Sequence, residues 1–330
     1  IDSHLHGGIP AHDIDKMQGY WDVCVSLKDA LFEKCGDKYN LKVDKNEVAD
    51  TIAFESSFKH QLSHFEDSIE KWSEEVRPKL LSLCENVKPK QLITVWSESL
   101  LDIMKEDRSL VDQYDTYQQL MTYWNDTMQD DCYLISRDGW KVTLATGEKK
   151  NPTYEDMTCE LLPVSIVLDE YFDDELVEIE RLSTESAQLY SEMQEMMEQA
   201  KEESGEEDED ELKKIVDQLK KSASYKAKDK KRKDLDKDVK DKKNNLTTAL
   251  RKKYQELTED EIKHLVVDKK WISTISDMIL DEMKQVTHQL SNEVITLAER
   301  YEFTLSYLSS ECNRYEEEVS GYLKEMGFEI

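Results

Sequence analysis

Residues that interrupt helices are scarce in this sequence, and that scarcity constrains the fold more than any other feature. The chain of 330 residues contains only 9 glycines and 5 prolines, while 35% of its residues are Asp, Glu, Lys or Arg. This combination is typical of long exposed helices and leaves little room for a many-stranded sheet. The sequence therefore predicts a mainly α fold, with a helical domain at residues 1–163 and long antiparallel or coiled-coil-like helices at residues 164–330.

One small β-hairpin is predicted within the first domain, near residues 132–144. Apolar side chains alternate with polar ones on both sides of the turn sequence Arg137-Asp138-Gly139, as a half-buried hairpin requires. These apolar positions are Tyr133, Ile135, Trp140, Val142 and Leu144. The hairpin is the one β-element that the sequence predicts in this domain.

Two neighbouring segments of opposite charge dominate the second domain. Residues 173–211 contain 17 acidic residues against Arg181 and Lys201, a local charge of −15, whereas residues 213–253 contain 17 Lys or Arg against 6 Asp, a local charge of +11. Ser204 and Gly205 mark a bend between the two segments. The pattern predicts a charged helical hairpin at about 173–253, with ion pairs between its two helices.

The basic segment matters for function because the whole chain has a formal charge of −29, which by itself would repel nucleic acid. Because the lysines are concentrated in one segment, the net negative charge does not exclude nucleic-acid binding by that segment. The candidate contacts to DNA phosphates are Lys230, Lys231, Arg232 and Lys233. The alternative, which the adjacent acidic segment favours, is a solvated helix face paired with its acidic neighbour.

The C-terminal helices are predicted at residues 259–330. Thr258 and Glu261 form a capping-box pattern that starts a helix, and an apolar face runs from Trp271 to Leu297 after a break near Asp268. The last helix, with Thr304 as its cap, carries apolar residues spaced alternately three and four apart, which is the a/d pattern of a coiled coil. This seam consists of Leu305, Leu308, Cys312, Tyr315, Val319, Tyr322 and Met326.

The seam has two interpretations. Periodicity alone favours packing against the preceding helix of the same chain, because most amphipathic helices cover their own core. The other interpretation is a contact with a second protein, for which the mixture of one cysteine and two tyrosines among aliphatic residues is compatible with an exchangeable partner. The sequence leaves both interpretations open.

Motifs for catalysis are incomplete. Asp2-Ser3-His4-Leu5-His6 resembles a metal motif of barrel hydrolases, but the alternating strands and helices of a barrel are missing. His60 and His64 share a helix face without a third ligand, and Asn151-Pro152-Thr153-Tyr154 has the wrong third residue for an adenine-gripping loop, which favours a turn. No catalytic, cofactor-binding or metal-binding residue is therefore predicted.

Cysteine spacing and hydropathy indicate the compartment. The 6 cysteines are scattered and include no C-x-x-C pair, as expected for reduced thiols in the cytoplasm. No stretch approaches the roughly 18 apolar residues that a membrane span needs, so no membrane partner is predicted. Because the sequence begins at Ile1, it is expected to be an internal or processed piece of a longer polypeptide.

Several blocks, read in order, resemble one known family. The region downstream of the catalytic domain in the modification subunits of bacterial type I restriction–modification systems contains similar blocks over nearly this whole length. The blocks are HLHGGIPAHDID, YWDVCVSLKDALFE, LVDQYDTYQQLMTYWNDTMQDDCYLISRDGW, ELLPVSIVLDEYF, KKYQELTEDEIKHLVVDKKW and LAERYEFTLSYL. The charged segments between EYF and KKYQ match none of the family's motifs.

The resemblance implies a parent enzyme, a DNA adenine methyltransferase that uses S-adenosylmethionine. In that family two modification subunits join one specificity subunit, restriction subunits add to this core, and DNA is bound by the complex. The methyl-transfer loop and the cofactor site lie upstream of the blocks above, so this chain is expected to hold neither. The resemblance further implies that the seam from Leu305 to Met326, with the helix from Trp271 to Leu297, docks on the specificity subunit.

Two other classes of function stay open at this stage. The chain is alternatively a free-standing coiled-coil adaptor or, more remotely, a metal-dependent hydrolase. The upstream gene sequence would distinguish the first from the assembly region of a methyltransferase, and stoichiometric bound metal would identify the second.

Overall fold

The scarcity of glycine and proline is realised as a mainly helical fold, which confirms the predicted fold class. The computed structural model describes residues 7–84, 88–106, 109–147, 149–205 and 208–326. These residues form two compact units. The first draws on Ile1–Ser82, Lys88–Gln129 and Ile272–Ile330, and the second on Leu83–Val87 and Asp130–Trp271, so the division differs from the predicted boundary after residue 163.

The first unit combines a small antiparallel sheet with several helices. Its strands have the order β1-β3-β2. The elements in chain order are β1 (Ile9–Pro10), α1 (Ala11–Ile14), α2 (Gln18–Val23), α3 (Leu27–Leu31), β2 (Phe32–Cys35), β3 (Lys38–Leu41), α4 (Val48–Phe54), α5 (Ser56–Leu81), α6 (Pro89–Glu106), α7 (Gln113–Tyr123), a π-helical segment (Trp124–Met128), α14 (Ser273–Arg300) and α15 (Leu305–Glu325).

Tryptophans occupy the centre of the first unit. Trp72 of α5 is almost fully buried and donates from Nε1 to the carbonyl oxygen of Trp96 in α6 at 3.1 Å. Trp96 in turn meets Trp124 edge to face, with ring centroids 5.9 Å apart. The indole N–H of Trp124 donates to Gln129 at 3.1 Å, and the large rings fill the space between α5, α6 and α7.

A glutamate starts the 26-residue helix α5. Glu55 precedes α5 and accepts hydrogen bonds from the backbone amides of Ser57 at 2.8 Å and Phe58 at 3.1 Å. The hydroxyl of Ser26 also donates to Glu55, at 2.7 Å. The carboxylate therefore satisfies helix amides that otherwise lack a partner and interacts favourably with the helix dipole.

The predicted hairpin at 132–144 is wrong, because those residues begin in helix α8 (Gln129–Asp138) of the second unit. Met128, Cys132 and Ile135 are buried at spacings of four and three, which is a helical stripe that outweighed the period-two pattern. Gly139, with φ 74°, terminates helix α8 and is not part of a hairpin turn. The hairpin that forms is β2–β3, with Cys35 opposite Lys38.

The second unit contains a long helical hairpin. Its elements are α8 (Gln129–Asp138, from Asp130 onwards), β4 (Ala145–Thr146), β5 (Met157–Thr158), α9 (Val164–Tyr171), α10 (Asp173–Ser204), α11 (Glu209–Lys221), α12 (Ala223–Glu256), α13 (Glu259–His264) and a π-helical segment (Leu265–Ile272, up to Trp271). β4 and β5 pair antiparallel.

Helices α10 and α12 run antiparallel, and α11 lies between them in sequence. An apolar seam of Leu182, Leu189 and Met193 on α10 is buried. Ion pairs flank it, with Lys231 2.8 Å from Glu185 and Lys228 paired with Glu192. Acidic α10 and basic α12 thus meet side by side, as their charge pattern predicts.

The start of the C-terminal helices follows the predicted capping box. Glu261 N donates to Thr258 Oγ1 at 3.3 Å, and Thr258 N donates to Glu261 Oε2 at 2.9 Å. The break expected near Asp268 is instead a π-helical segment, which continues the helical path. Among the described residues, no helix is long and apolar enough to cross a membrane.

Candidate partner-binding site

The last helix, α15, begins where the sequence predicts. The Thr304 hydroxyl oxygen accepts from the amide of Tyr307 at 3.2 Å, and the Thr304 carbonyl accepts from the amide of Leu308 at 3.0 Å. The first bond satisfies an amide that has no partner inside the helix, and the second is the first i→i−4 bond of the helix. α15 then continues to Glu325, so the heptad seam lies on one uninterrupted helix.

The seam is exposed along its whole length. Six of its side chains are between 51% and 72% exposed, and Cys312 is exposed as well: Leu305, Leu308, Tyr315, Val319, Tyr322 and Met326. None of the α15 side chains that the structure describes is buried. The interpretation that the seam packs against the preceding helix of this chain is therefore not what the structure has.

Two exposed aromatic residues lie at the start of α15, outside the seam. Phe303 and Tyr307 stack with ring centroids 4.9 Å apart and an interplanar angle of 14°. Both rings are more than two-fifths exposed. Phe303 precedes the cap Thr304 and Tyr307 lies in the first turn of α15, so the stack joins the preceding loop to the helix.

Acidic side chains flank the seam. In the heptad that places Leu305 at an a position, Glu311 and Glu318 occupy g positions and Glu316 occupies an e position. Arg314 lies 2.6 Å from Glu311 and 3.3 Å from Glu318, and its hydrogen bond to Glu311 raises the pKa of the guanidinium. One cation thus faces several carboxylates, and the rim of the seam stays negative.

The other half of the predicted docking surface is not available. Along the helix from Trp271 to Leu297, five of the six apolar side chains are buried and Val286 is half-buried: Trp271, Ile275, Ile279, Leu290 and Leu297. This correction has a simple cause, since those side chains form the cores of their own units. Of the two helices of the predicted docking surface, α15 is the one whose apolar row is exposed.

The four candidate DNA contacts at 230–233 lie on different sides of α12. Lys231 faces α10 and pairs with Glu185, and Arg232 pairs with Asp236 at 2.6 Å and Asp229 at 3.3 Å. Lys230 and Lys233 point away from α10 and are exposed, although Lys233 lies 2.6 Å from Asp229. Consecutive residues of a helix are about 100° apart, so these four do not form one surface.

A buried polar cluster in the second unit was missed by sequence analysis. Lys270 Nζ lies 2.6 Å from Asp131 Oδ2 and 2.8 Å from the carbonyl oxygen of Leu161. Trp271 Nε1 donates to the same Asp131 oxygen at 2.8 Å. Burial raises the pKa of Asp131, and the Lys270 ammonium opposes that rise. No periodicity pairs residues 139 positions apart, so no sequence signal pointed to this contact.

Among the described residues, the remaining candidate motifs do not assemble into a catalytic site. Asp2, His4 and His6 lie outside the described residues, and His60 and His64 are exposed on α5. Thr153 and Asp156 cap a short turn, whose Tyr154 amide donates to Thr247 at 2.9 Å. Within the described ranges, no group of three or more His, Cys, Asp or Glu could hold a metal ion.

Comparisons of the chain with protein-family models, curated proteins and solved structures found no match. The site is therefore characterised by its own geometry. It is an apolar, heptad-spaced row on one helix, with carboxylates on both edges, suited to packing against another helix.

Proposed function

We propose that this chain is an assembly region that docks on a helix of a partner protein through α15. The observation that carries the proposal is the exposure of every seam side chain from Leu305 to Met326. A contiguous apolar row of this length is uncommon on the surface of a monomer, because water contact with it is unfavourable. Pairing with a second helix would remove the row from water and seat each side chain between four side chains of the partner.

The length of the helix supports a coiled-coil contact. α15 contains 21 residues and so extends roughly 31 Å at about 1.5 Å per residue. Three heptads are enough to specify register when the partner offers a matching row. Seam tyrosines add polar hydroxyl groups, which fit an interface whose edges stay wet.

The flanking charges favour a heterologous partner over a second copy of this chain. In a parallel pair of identical helices, Glu311 at g would face Glu316 at e of the other copy, and like charges there oppose pairing. A partner helix with Lys or Arg at its e and g positions would instead form ion pairs on both edges. The expected partner helix is therefore apolar at a and d and basic beside the seam.

The family resemblance supplies an identity for that partner. We infer that it is the specificity subunit of a type I restriction–modification system, and that this chain belongs to a modification subunit in the bacterial cytoplasm. A second modification subunit and a restriction subunit would complete the assembly. S-adenosylmethionine chemistry is assigned to the upstream part of the parent, and this region contributes to DNA methylation by holding the subunits together.

Removal of α15 tests this proposal. The chain ending at Phe303 and the full chain are each co-expressed with the specificity subunit encoded beside its gene, and the tagged specificity subunit is purified. We expect co-purification with the full chain and its loss with the shortened chain. Equal recovery of both would overturn the proposal. Circular dichroism serves as the folding control, and the shortened chain should lose only the helical signal that the residues of α15 contribute.

Self-association distinguishes the adaptor alternative. Sedimentation of the full chain alone is expected to show a monomer, because the acidic rim opposes a homotypic coiled coil. A seam-dependent dimer with no affinity for the specificity subunit would favour a free-standing coiled-coil adaptor instead.

A further inference from the structure

Helix α12 carries a row of solvent-exposed lysines, of which only Lys233 forms an ion pair within the part of the chain that the structure describes. Spacings of four, three, four and three residues place them on one face of the helix. All five side chains are exposed: Lys226, Lys230, Lys233, Lys237 and Lys240. We call this set the lysine stripe.

The stripe faces away from α10. Lys228, Lys231 and Lys242 mark the side that faces α10, where they pair with Glu192, Glu185 and Glu178. At about 100° per residue, the stripe lies nearly half a turn from that side of α12. The acidic helix therefore neutralises one side of α12 and leaves the opposite side positive.

Few ion pairs neutralise the lysines of the stripe. Lys233 pairs with Asp229 at 2.6 Å. Lys226, Lys230, Lys237 and Lys240 form no ion pair with any residue in the part of the chain that the structure describes. Asp229 and Asp236 flank the stripe on one side, where Arg232 engages both, and Asp234 and Asp241 flank it on the other side. Four of the five stripe ammonium groups thus remain open to an outside anion.

The outer acidic side chains of α10 are too far from the stripe to cancel its charge. Packed helices lie about 8–10 Å apart, so the outer face of α10 is about 20 Å from the stripe. The Debye length at physiological salt is about 8 Å, and exposed charges separated by more than twice that length are largely screened. A polyanion approaching α12 from the stripe side therefore meets the stripe lysines at a distance where the outer carboxylates of α10 are largely screened.

We propose that the lysine stripe binds the phosphate backbone of duplex DNA without sequence preference. From Lys226 to Lys240 the stripe spans about 21 Å at roughly 1.5 Å per residue, a length over which a duplex presents about 12 phosphate charges. Lysine ammonium groups on flexible stems suit phosphate contacts rather than base reading. The stripe contains no aromatic side chain, so base stacking on the stripe does not contribute to the proposed affinity for DNA.

This inference replaces part of the sequence-based set of contacts. Lys230 and Lys233 stay in it, whereas Lys231 and Arg232 leave it because their charges are directed to Glu185, Asp229 and Asp236. It goes beyond the docking function and does not depend on α15. A chain that ends at Phe303 should bind DNA as the full chain does, so failure of one proposal leaves the other intact.

The test measures the affinity of the full chain for a labelled 20-base-pair duplex by fluorescence anisotropy between 50 and 200 mM NaCl. The stripe variant is K226Q/K230Q/K233Q/K237Q/K240Q, in which glutamine keeps the helix propensity. A matched control changes five exposed lysines elsewhere, K79Q/K90Q/K105Q/K252Q/K284Q, and so has the same net charge. Circular dichroism at 222 nm checks that both remain helical.

Each phosphate contact contributes a slope of about −0.9 to log K against log salt. We expect the magnitude of this slope to fall by up to about 4.5 in the stripe variant and by about 1.8 in K230Q/K237Q. The control variant should keep the slope of the full chain. Equal slopes for all proteins, or no binding of the full chain to DNA at 50 mM NaCl, would overturn the proposal. Stripe-dependent binding to an acidic helical peptide but not to the duplex would also overturn it, in favour of a protein partner.

Discussion

Lys270 and Asp131 form a buried ion pair in the second unit, with Nζ 2.6 Å from Oδ2 and both side chains less than a tenth exposed. Lys270 also donates to the carbonyl oxygens of Leu161 and Glu160, at 2.8 and 3.3 Å. The next residue, Trp271, donates to the same aspartate oxygen. One aspartate thus joins α8 to the π-helical segment, and the carbonyl oxygens that precede α9 complete the shell around the ammonium.

Replacing one partner of this pair is expected to be strongly destabilising. Lys270→Met leaves the Asp131 carboxylate buried without its cation, which costs about 3–5 kcal/mol of the free energy of unfolding. Urea denaturation followed by circular dichroism measures the loss. The double variant K270M/D131L removes both charges and should recover much of the stability, whereas a single variant as stable as the parent chain would show that water reaches the pair.

Glu55 is expected to make the free energy of unfolding depend on pH in the acidic range. Burial favours the protonated form, but hydrogen bonds from Ser26, Ser57 and the amide of Phe58 outweigh it and lower the pKa of Glu55 from 4.5 to about 2. A carboxyl whose pKa is depressed on folding stabilises the fold above its unfolded pKa, and that stabilisation is lost as pH falls from about 4.5 to about 2.

Glu55→Gln should therefore be less stable than the parent chain at pH 7, by about 1 kcal/mol for a lost cap, and the difference should shrink between pH 4.5 and 2. Thermal melts at several pH values measure the difference. A constant difference across this pH range would contradict the assigned pKa of Glu55, which carbon-detected titration of the side chain reports directly.

The hairpin of α10 and α12 should depend more on its apolar seam than on its ion pairs. Leu189→Ala removes a buried side chain at the level of the Lys231–Glu185 pair and should cost about 2–4 kcal/mol. Lys231→Gln breaks an exposed ion pair and should cost less than about 1 kcal/mol, with the difference vanishing at high salt. Denaturant midpoints at 0.05 and 1 M NaCl compare the two, and the reverse order would show that charge pairing dominates.

Sequence alone predicted the features that depend on neighbouring residues. The Thr258–Glu261 capping box and the Thr304 cap each follow from side chains within one turn of one another, and the antiparallel charged helices follow from the opposite charges of two adjoining segments. The hairpin prediction near Ile135 was wrong because the helical spacing of Met128, Cys132 and Ile135 competes with the alternation of period two over a short stretch.

Features that depend on tertiary packing could not be predicted from the sequence. The apolar faces of α15 and of the helix from Trp271 to Leu297 have the same kind of pattern, yet one is exposed and the other is buried. Periodicity states which side chains share a face but not what covers that face. For the same reason the sequence grouped Lys230 with Lys231, whereas the packing of α10 separates them.

The central claim, that the exposed seam of α15 binds a partner helix, is tested most directly by charge placed on that seam. L308K/Y315K puts two lysines at seam positions, and S310K/N313K adds the same charge on the far side of α15. Calorimetric titration with the specificity subunit is expected to show wild-type affinity for S310K/N313K and at least a hundredfold weaker binding for L308K/Y315K, because burying an unpaired ammonium is costly. Equal affinity of both variants would contradict the account.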